Sequence, residues 1–255
     1  MKTIGVIQAR LGSSRLPRKV LAGIAGKPML LQIVERLRAC RRLDEVVIST
    51  SSCDSDDELV YFAKRNQIRC FRGPVDDIAV RLYEAARGAG ADVFARVWGD
   101  CPLIAPGVID QVVDTLHDGQ FDYATNVMRG QLSFPDGQDV EVYRTATIAA
   151  LIHDVTDPKL REFPQEWLVA NQQLFKLGSV SRDDDLSDWH ISVDYPEDLE
   201  AMRTIYAALA DRGLDNELDT LVRLLREEPG LLQAFSGAPR NIEYQAYLKE
   251  MATRR

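Results

Sequence analysis

Between residues 3 and 117 the chain alternates continuous apolar runs with amphipathic runs, and this rhythm restricts the fold more than any other feature. Residues 3–8, 45–51 (EVVISTS), 68–71 and 92–98 (DVFARVW) predict strands. Residues 28–41 carry Met29, Leu30, Ile33, Val34 and Leu37 on one side, which is helical spacing, and Pro28 suits the first turn. Residues 54–66, 76–88 and 106–117 predict further helices, the first with an acidic opening turn that favours its dipole. Strand–helix alternation of this kind predicts an α/β chain with a mostly parallel sheet and helices on both faces.

After residue 120 the rhythm breaks. Residues 122–126 and 139–143 predict strands around the loop Ser133-Phe134-Pro135-Asp136-Gly137, where Pro and Gly signal a turn. Helices are predicted at 145–153, 164–174 and 196–210, a short strand at 190–193, and terminal helices or an ordered tail over 216–228 and 231–253. The division is one domain over residues 1–210 with a helical appendage of the same domain over 211–255.

A chain of 255 residues can bury a substantial core unaided. Its net charge of −8 argues against general nucleic-acid binding, although a local basic loop can still hold a small phosphorylated ligand. The apolar stretches are strand-length and the N-terminus lacks a signal-peptide core, so no membrane partner and a cytoplasmic location are expected. Cys40, Cys53, Cys70 and Cys101 show no CxxC spacing and are expected to be reduced, buried small hydrophobes. His117, His153 and His190 share no metal-binding spacing and read as ordinary histidines.

The first strand runs into Gln8-Ala9-Arg10-Leu11-Gly12-Ser13-Ser14-Arg15-Leu16-Pro17-Arg18-Lys19, which sets four cations, a glycine and two hydroxyls on one loop. In an open α/β sheet, ligands collect beyond the carboxyl ends of strands. Arg10, Arg15 and Lys19 are candidates for phosphate contacts, with Ala9, Gly12 and Ser13 supplying close backbone approach and a donor. The loop has neither the Walker nor the GxGxxG spacing, and a solvated basic loop is the plain alternative.

Arg96-Val97-Trp98-Gly99-Asp100-Cys101-Pro102 brings Asp100 to the end of another strand, where a carboxylate can bind Mg²⁺ or cap the following turn. Asp194 likewise precedes a helix and suits either an N-cap or a second metal ligand. Glu197 and Asp198 read as an ordinary helix first turn. Arg72 and Asp77 are nucleotide-side candidates. Arg81 is a substrate-side candidate, though Asp77 and Arg81 stand at i, i+4 and can simply pair. Asp136, Gln138, Asp139 and Glu141 surround a tight turn rich in acceptors, which suits sugar hydroxyls or a plain acidic β-turn.

The blocks IQARLGSSRLPRKVL (7–21), GKPML (26–30), FRGPVDDIAVRLY (71–83), RVWGDCPLIAPGVID (96–110), FPDGQDVEVY (134–143) and VDYPEDLE (193–200) resemble one family. It is the cytidylyltransferases of the spore-coat polysaccharide biosynthesis type, relatives of the acylneuraminate and 3-deoxy-manno-octulosonate cytidylyltransferases. The resemblance implies a Rossmann-like nucleotidyltransferase fold and CMP transfer from CTP to a sugar acid, with Mg²⁺ and pyrophosphate release. By position it implies Arg10, Arg15 and Lys19 on the triphosphate, Asp100 and Asp194 on the metal, and the FPDGQDVE loop on the acceptor side. Arg10, Lys19 and Asp100 are the expected catalytic residues.

Two departures stand out. The family's REHVT-like stretch is here Arg161-Glu162-Phe163-Pro164-Gln165-Glu166-Trp167, with Phe163 at the histidine's place. Trp98-Gly99 stands where many members have Thr-Ala. Both imply an acceptor pocket unlike that of typical members. The tail beyond residue 210 is variable in such families and carries no functional expectation.

Rival activities on the same loop are transfer to a sugar phosphate or phosphonate, and a GT-A-type glycosyltransferase. The DxD of the second would have to be Asp54-Ser55-Asp56, which reads as a helix start. A non-catalytic nucleotide-binding subunit is a further alternative, and a homodimer is compatible with the sequence.

Overall fold

The computed structural model describes residues 1–253. The strands are β1 (Thr3–Gln8), β2 (Gly23–Ile24), β3 (Lys27–Pro28), β4 (Glu45–Ser51), β5 (Arg69–Gly73), β6 (Val93–Trp98), β7 (Tyr123–Thr125), β8 (Glu141–Arg144) and β9 (Leu177–Ser179). The helices are α1 (Met29–Arg38), α2 (Asp57–Arg65), α3 (Ile78–Gly88), α4 (Pro106–Asp118), α5 (Thr145–Asp154), α6 (Pro158–Glu162), α7 (Pro164–Ala170), α8 (Pro196–Asp211), α9 (Leu218–Glu227), α10 (Pro229–Gln233) and α11 (Ile242–Thr253). Among the described residues, seven strands form the main sheet in the order β5-β4-β1-β6-β8-β7-β9.

β1 pairs in parallel with β4 on one side and β6 on the other, and β4 pairs in parallel with β5. β8 runs antiparallel to both β6 and β7, and β9 rejoins β7 in parallel. The chain therefore steps outward from β1 through β4 to β5, then returns to place β6 on the other side of β1. The crevice between β1 and β6 is the topological switch point, where ligands collect in open α/β sheets. Because β8 is reversed, its first residue Glu141 lies at the same sheet edge as the carboxyl ends of β1 and β6.

Each face of the sheet is covered by its own apolar layer. On one side α1, α2, α4, α8 and α9 contribute Ile33, Leu59, Ile109, Ile205 and Leu221; on the other α3, α5 and α7 contribute Leu82, Leu151 and Leu168. β1 alternates between them, with Ile4 and Val6 facing one layer and Ile7 the other. Each such side chain removed from water contributes roughly 1.5–3 kcal/mol. Leu218, Leu221, Val222, Leu224, Leu225 and Phe235 join the first layer, so the segment after residue 211 shares the core of what precedes it.

The structure differs from the sequence expectations at several places. Residues 190–193 form no strand; His190 makes one isolated bridge with Asp136. The segment bonds to loops instead, with Ile191 N donating to Asp136 O at 2.9 Å and Val193 N to Asp100 O at 2.9 Å. Pro28 ends β3 and precedes α1 rather than opening its first turn. The helix expected over 164–174 stops at Ala170, and β9 had no signal strong enough to read. Cys40 and Cys101 are buried and Cys70 partly so, but Cys53 is exposed; all are free thiols. No helix of the described residues is long and apolar enough to cross a membrane.

Candidate active site

A cavity of about 510 Å³ opens at the β1–β6 crevice. The loop after β1 forms one end of it. Ala9 N donates to Ser49 O at 3.1 Å, and Arg18 N, at a left-handed φ of 61°, returns to Leu11 O at 3.0 Å. Buried Asp56 fixes the loop from below, accepting from Leu11 N at 2.8 Å, Thr50 Oγ1 at 3.0 Å and the Ser51 hydroxyl. These bonds outweigh the opposing effect of burial and hold its carboxyl below the usual range. Asp56 is thus a loop anchor, and the Asp54-Ser55-Asp56 triplet opens the helical stretch that leads into α2, as its sequence reads.

Lys19 is the centre of this end. Its Nζ donates to Asp100 Oδ2 at 2.8 Å, Asp194 Oδ1 at 3.0 Å and Val193 O at 2.8 Å. Burial works to lower its pKa, but Asp100 and Asp194 outweigh it and the ammonium is held more firmly than usual. Arg15 bonds Asp194 Oδ1 at 2.6 Å and lies 5.6 Å from the centre of the Tyr195 ring. Lys19 and Arg15 hold the Asp194 carboxyl below its usual range, against burial. Asp194 does not cap α8: Tyr195 occupies that position, and Asp198 accepts from both Asp194 N and Tyr195 N. Two aspartates from distant loops therefore meet at one ammonium.

Gly99 makes the junction possible. Its N–H bonds Gln8 O at 2.9 Å, and a Cβ there would lie 3.0 Å from the same oxygen. Glycine relieves this close approach of β1 and the β6 loop, where a Cβ would also lie 3.1 Å from that of Ala9. Arg10, Ala9 and Ser13 also line the cavity, Ser13 Oγ accepting from Leu16 N at 3.3 Å; Gly12 is exposed beside it.

The other end is built around β8. Arg96 donates to Glu141 Oε2 at 2.8 Å and to Gln8 Oε1 at 3.1 Å, and stacks 4.4 Å over the Trp98 ring. Glu141 also accepts from Tyr123 OH at 2.9 Å. Asp136 bonds His190 Nδ1 at 2.8 Å, and Asp139 pairs with Arg240. Gly137 has φ +102°, and a Cβ there would meet Ile191 O at 2.7 Å, so the turn requires glycine. Burial raises the Asp139 pKa to about 6, with Arg240 opposing and Asp136 adding to the rise. His190 is more than an ordinary histidine: although burial works against its charge, Asp136 and Asp198 raise its pKa to about 9. The spacing of Asp136, His190 and Asp198 in sequence gave no hint of this cluster.

Five of the expected site residues do not line the cavity: Gly12, which is exposed, and four whose side chains are engaged elsewhere. Gln138 is fully buried and spans Ala105 N at 2.9 Å and Leu103 O at 2.6 Å, which uses its amide for folding. Arg72 holds Ser51 O at 3.1 Å and Cys53 O at 2.7 Å, and pairs with Asp57. Asp77 caps α3 through Val80 N at 3.0 Å and pairs with Arg161. Arg81 donates to Pro74 O at 3.2 Å rather than pairing with Asp77; burial, with Arg96 and Arg10 nearby, lowers its pKa to about 10.

The cytidylyltransferase family model matches residues 4–209, and the chain belongs to that family of CTP-using nucleotidyltransferases. It is 25% identical over 230 residues to the spore coat polysaccharide biosynthesis protein SpsF of Bacillus subtilis, covering 88% of this chain and 94% of that protein. It is 36% identical over 108 residues to a 3-deoxy-manno-octulosonate cytidylyltransferase of Acidobacterium capsulatum, a match spanning 42% of each chain. The solved structure of a cytidylyltransferase from Leptospira borgpetersenii superposes with a TM-score of 0.83 at 28% identity, covering 92% of this chain and 98% of that one.

Proposed function

We propose that the protein transfers CMP from CTP to a hydroxyl of a sugar acid and releases pyrophosphate, supplying surface polysaccharide or glycoconjugate synthesis. One observation carries this reading: Arg15, Lys19, Asp100 and Asp194 converge at one end of a cavity whose other end presents Asp136, Asp139 and Glu141. Similarity to the SpsF protein and to an octulosonate enzyme supports the acceptor class.

The acceptor oxygen bonds to the α-phosphorus of CTP, the bond to the pyrophosphate oxygen breaks, and the hydroxyl proton is released. Arg10, Arg15 and Lys19 stabilise the charge gathering on the leaving pyrophosphate. The rest is positioning in a walled cavity. Asp100 and Asp194 fit Mg²⁺, which takes one or two carboxylates and fills its remaining positions with phosphate oxygens and water. They face one cation already, the Lys19 ammonium. When bound, the ion would neutralise oxygens of the α-phosphate and of pyrophosphate. With the aspartates engaged by the ion, the Lys19 ammonium would be available to the phosphates.

The test is pyrophosphate release from CTP with Mg²⁺ and a panel of sugar acids, with UTP, GTP and ATP as controls. Release with CTP and a sugar acid is expected. Release only with sugar phosphates, or a glycoside product with free nucleoside diphosphate, would replace this reading with one of its rivals.

A further inference from the structure

The matched family segment ends at residue 209, yet one side of the cavity is made of residues beyond it. Arg240, Asn241, Ile242, Tyr244, Gln245 and Leu248 line the cavity from the start of α11. They lie on the β8 side of the crevice. Arg240 Nη1 donates to Phe134 O at 2.8 Å, and its Nη2 pairs with Asp139. Asn241 reaches Asp139 Oδ2 at 3.4 Å. Tyr244 OH bonds Glu166 on α7, and Ser236 N bonds Asp198 Oδ1 at 2.7 Å. The segment is pinned to the loop 134–139 and to α7 and α8.

Phe163 belongs to the same wall. Its ring lies 5.3 Å from that of Tyr244 and 5.0 Å from that of Tyr247. The Phe163 ring packs against the tail, which adds its polar groups to those of Glu162, Gln165 and Glu166 along this wall. The groups of the tail are chemically specific. The Arg240 charge is matched by Asp139, so Arg240 serves as an anchor. Asn241 and Gln245 offer amides and Tyr244 a phenol, groups that pair with neutral hydroxyls. Burial and Glu166 keep the phenol protonated.

We propose that residues 240–248 form the acceptor-selecting wall, with Asn241, Tyr244 and Gln245 reading hydroxyls of the acceptor sugar and Arg240 acting as the positioning residue that seats them. This rests on the transferase reading above. Such a wall discriminates among acceptors, because one lacking the matching hydroxyl forfeits its bond to the wall; Tyr244 is partly buried, and Asn241 and Gln245 are exposed.

The experiment uses the full chain with CTP and Mg²⁺, offered 3-deoxy-manno-octulosonate, N-acetylneuraminate or glucose 1-phosphate. CTP binding is measured by calorimetry and transfer by pyrophosphate release, for wild type, Asn241→Ala, Tyr244→Phe and Arg240→Gln. The expected result is CTP affinity within about twofold of wild type, acceptor KM raised about tenfold, and a changed order of preference among the acceptors. Unchanged acceptor KM and order in active variants overturns the inference and leaves the transferase reading standing. Parallel loss of CTP affinity and acceptor KM makes the tail a brace and also overturns it. Wild type that binds CTP without transfer to any acceptor, or binds no CTP, overturns both.

Discussion

The two ends of the cavity are built in opposite ways. One end is a contiguous loop, residues 8–19, held by bonds from its backbone to Ser49 and Asp56, and its cations reach two partly accessible aspartates. The other end is assembled from segments near 96, 134–141, 162–166, 190 and 240–248, and its charges are locked in buried pairs: Arg96–Glu141, Arg240–Asp139 and His190–Asp136. On the proposed function, the first end exchanges partners when a charged ligand arrives, its aspartates being partly open to solvent. The second is a fixed surface whose charges support the fold. The difference teaches that ion pairs in one cavity can serve either exchange or rigidity, according to burial and partner count.

The largest expected effect is at the exchanging end. Lys19→Met is expected to lower kcat/KM for CTP by about a thousandfold, through loss of leaving-group stabilisation, with a modest change in denaturation midpoint. Arg96→Met should do the reverse of this split. It strands a buried Glu141 carboxylate and is expected to destabilise by about 3–5 kcal/mol in urea titration. If Lys19→Met costs as much stability as Arg96→Met, the contrast between the ends breaks.

His190 sharpens the comparison through pH. Its pKa rises from 6.5 to about 9 on folding, so its stabilisation is complete below 6.5 and is lost as pH climbs through 9. Urea titration from pH 6 to 10 should show a decline of up to roughly 3 kcal/mol that is absent in His190→Gln. A decline of equal size in that variant would assign the effect elsewhere. The smallest effect is expected for Arg72→Ala, whose contacts are to loop carbonyls and an exposed aspartate. CTP affinity measured by calorimetry should change less than about threefold.

The same contrast explains what could be read from the sequence. The β1 loop was legible because its cations, glycine and hydroxyls are neighbours in the chain, and the strand–helix rhythm located the sheet edge they occupy. Asp100 and Asp194 were legible as strand-end or loop-end carboxylates, but their meeting at Lys19 depends on tertiary structure. The tail wall was not legible: Arg240 and Tyr244 acquire their places from Asp139 and Glu166, about a hundred and about eighty residues away. Gln138 and Arg81 were read toward ligands because a polar side chain in a loop or first turn does not reveal that backbone groups will claim it. His190 was missed for the same reason, since its partners Asp136 and Asp198 share no local spacing.

On the proposed function, Asp100 and Asp194 serve a metal–triphosphate group that Lys19 and Arg15 help to hold. Calorimetric titration of CTP, with and without Mg²⁺, into wild type and Asp100→Asn tests it most directly. Mg²⁺ is expected to tighten CTP binding by about tenfold or more in wild type and by little in Asp100→Asn. Equal tightening in both proteins would contradict the account.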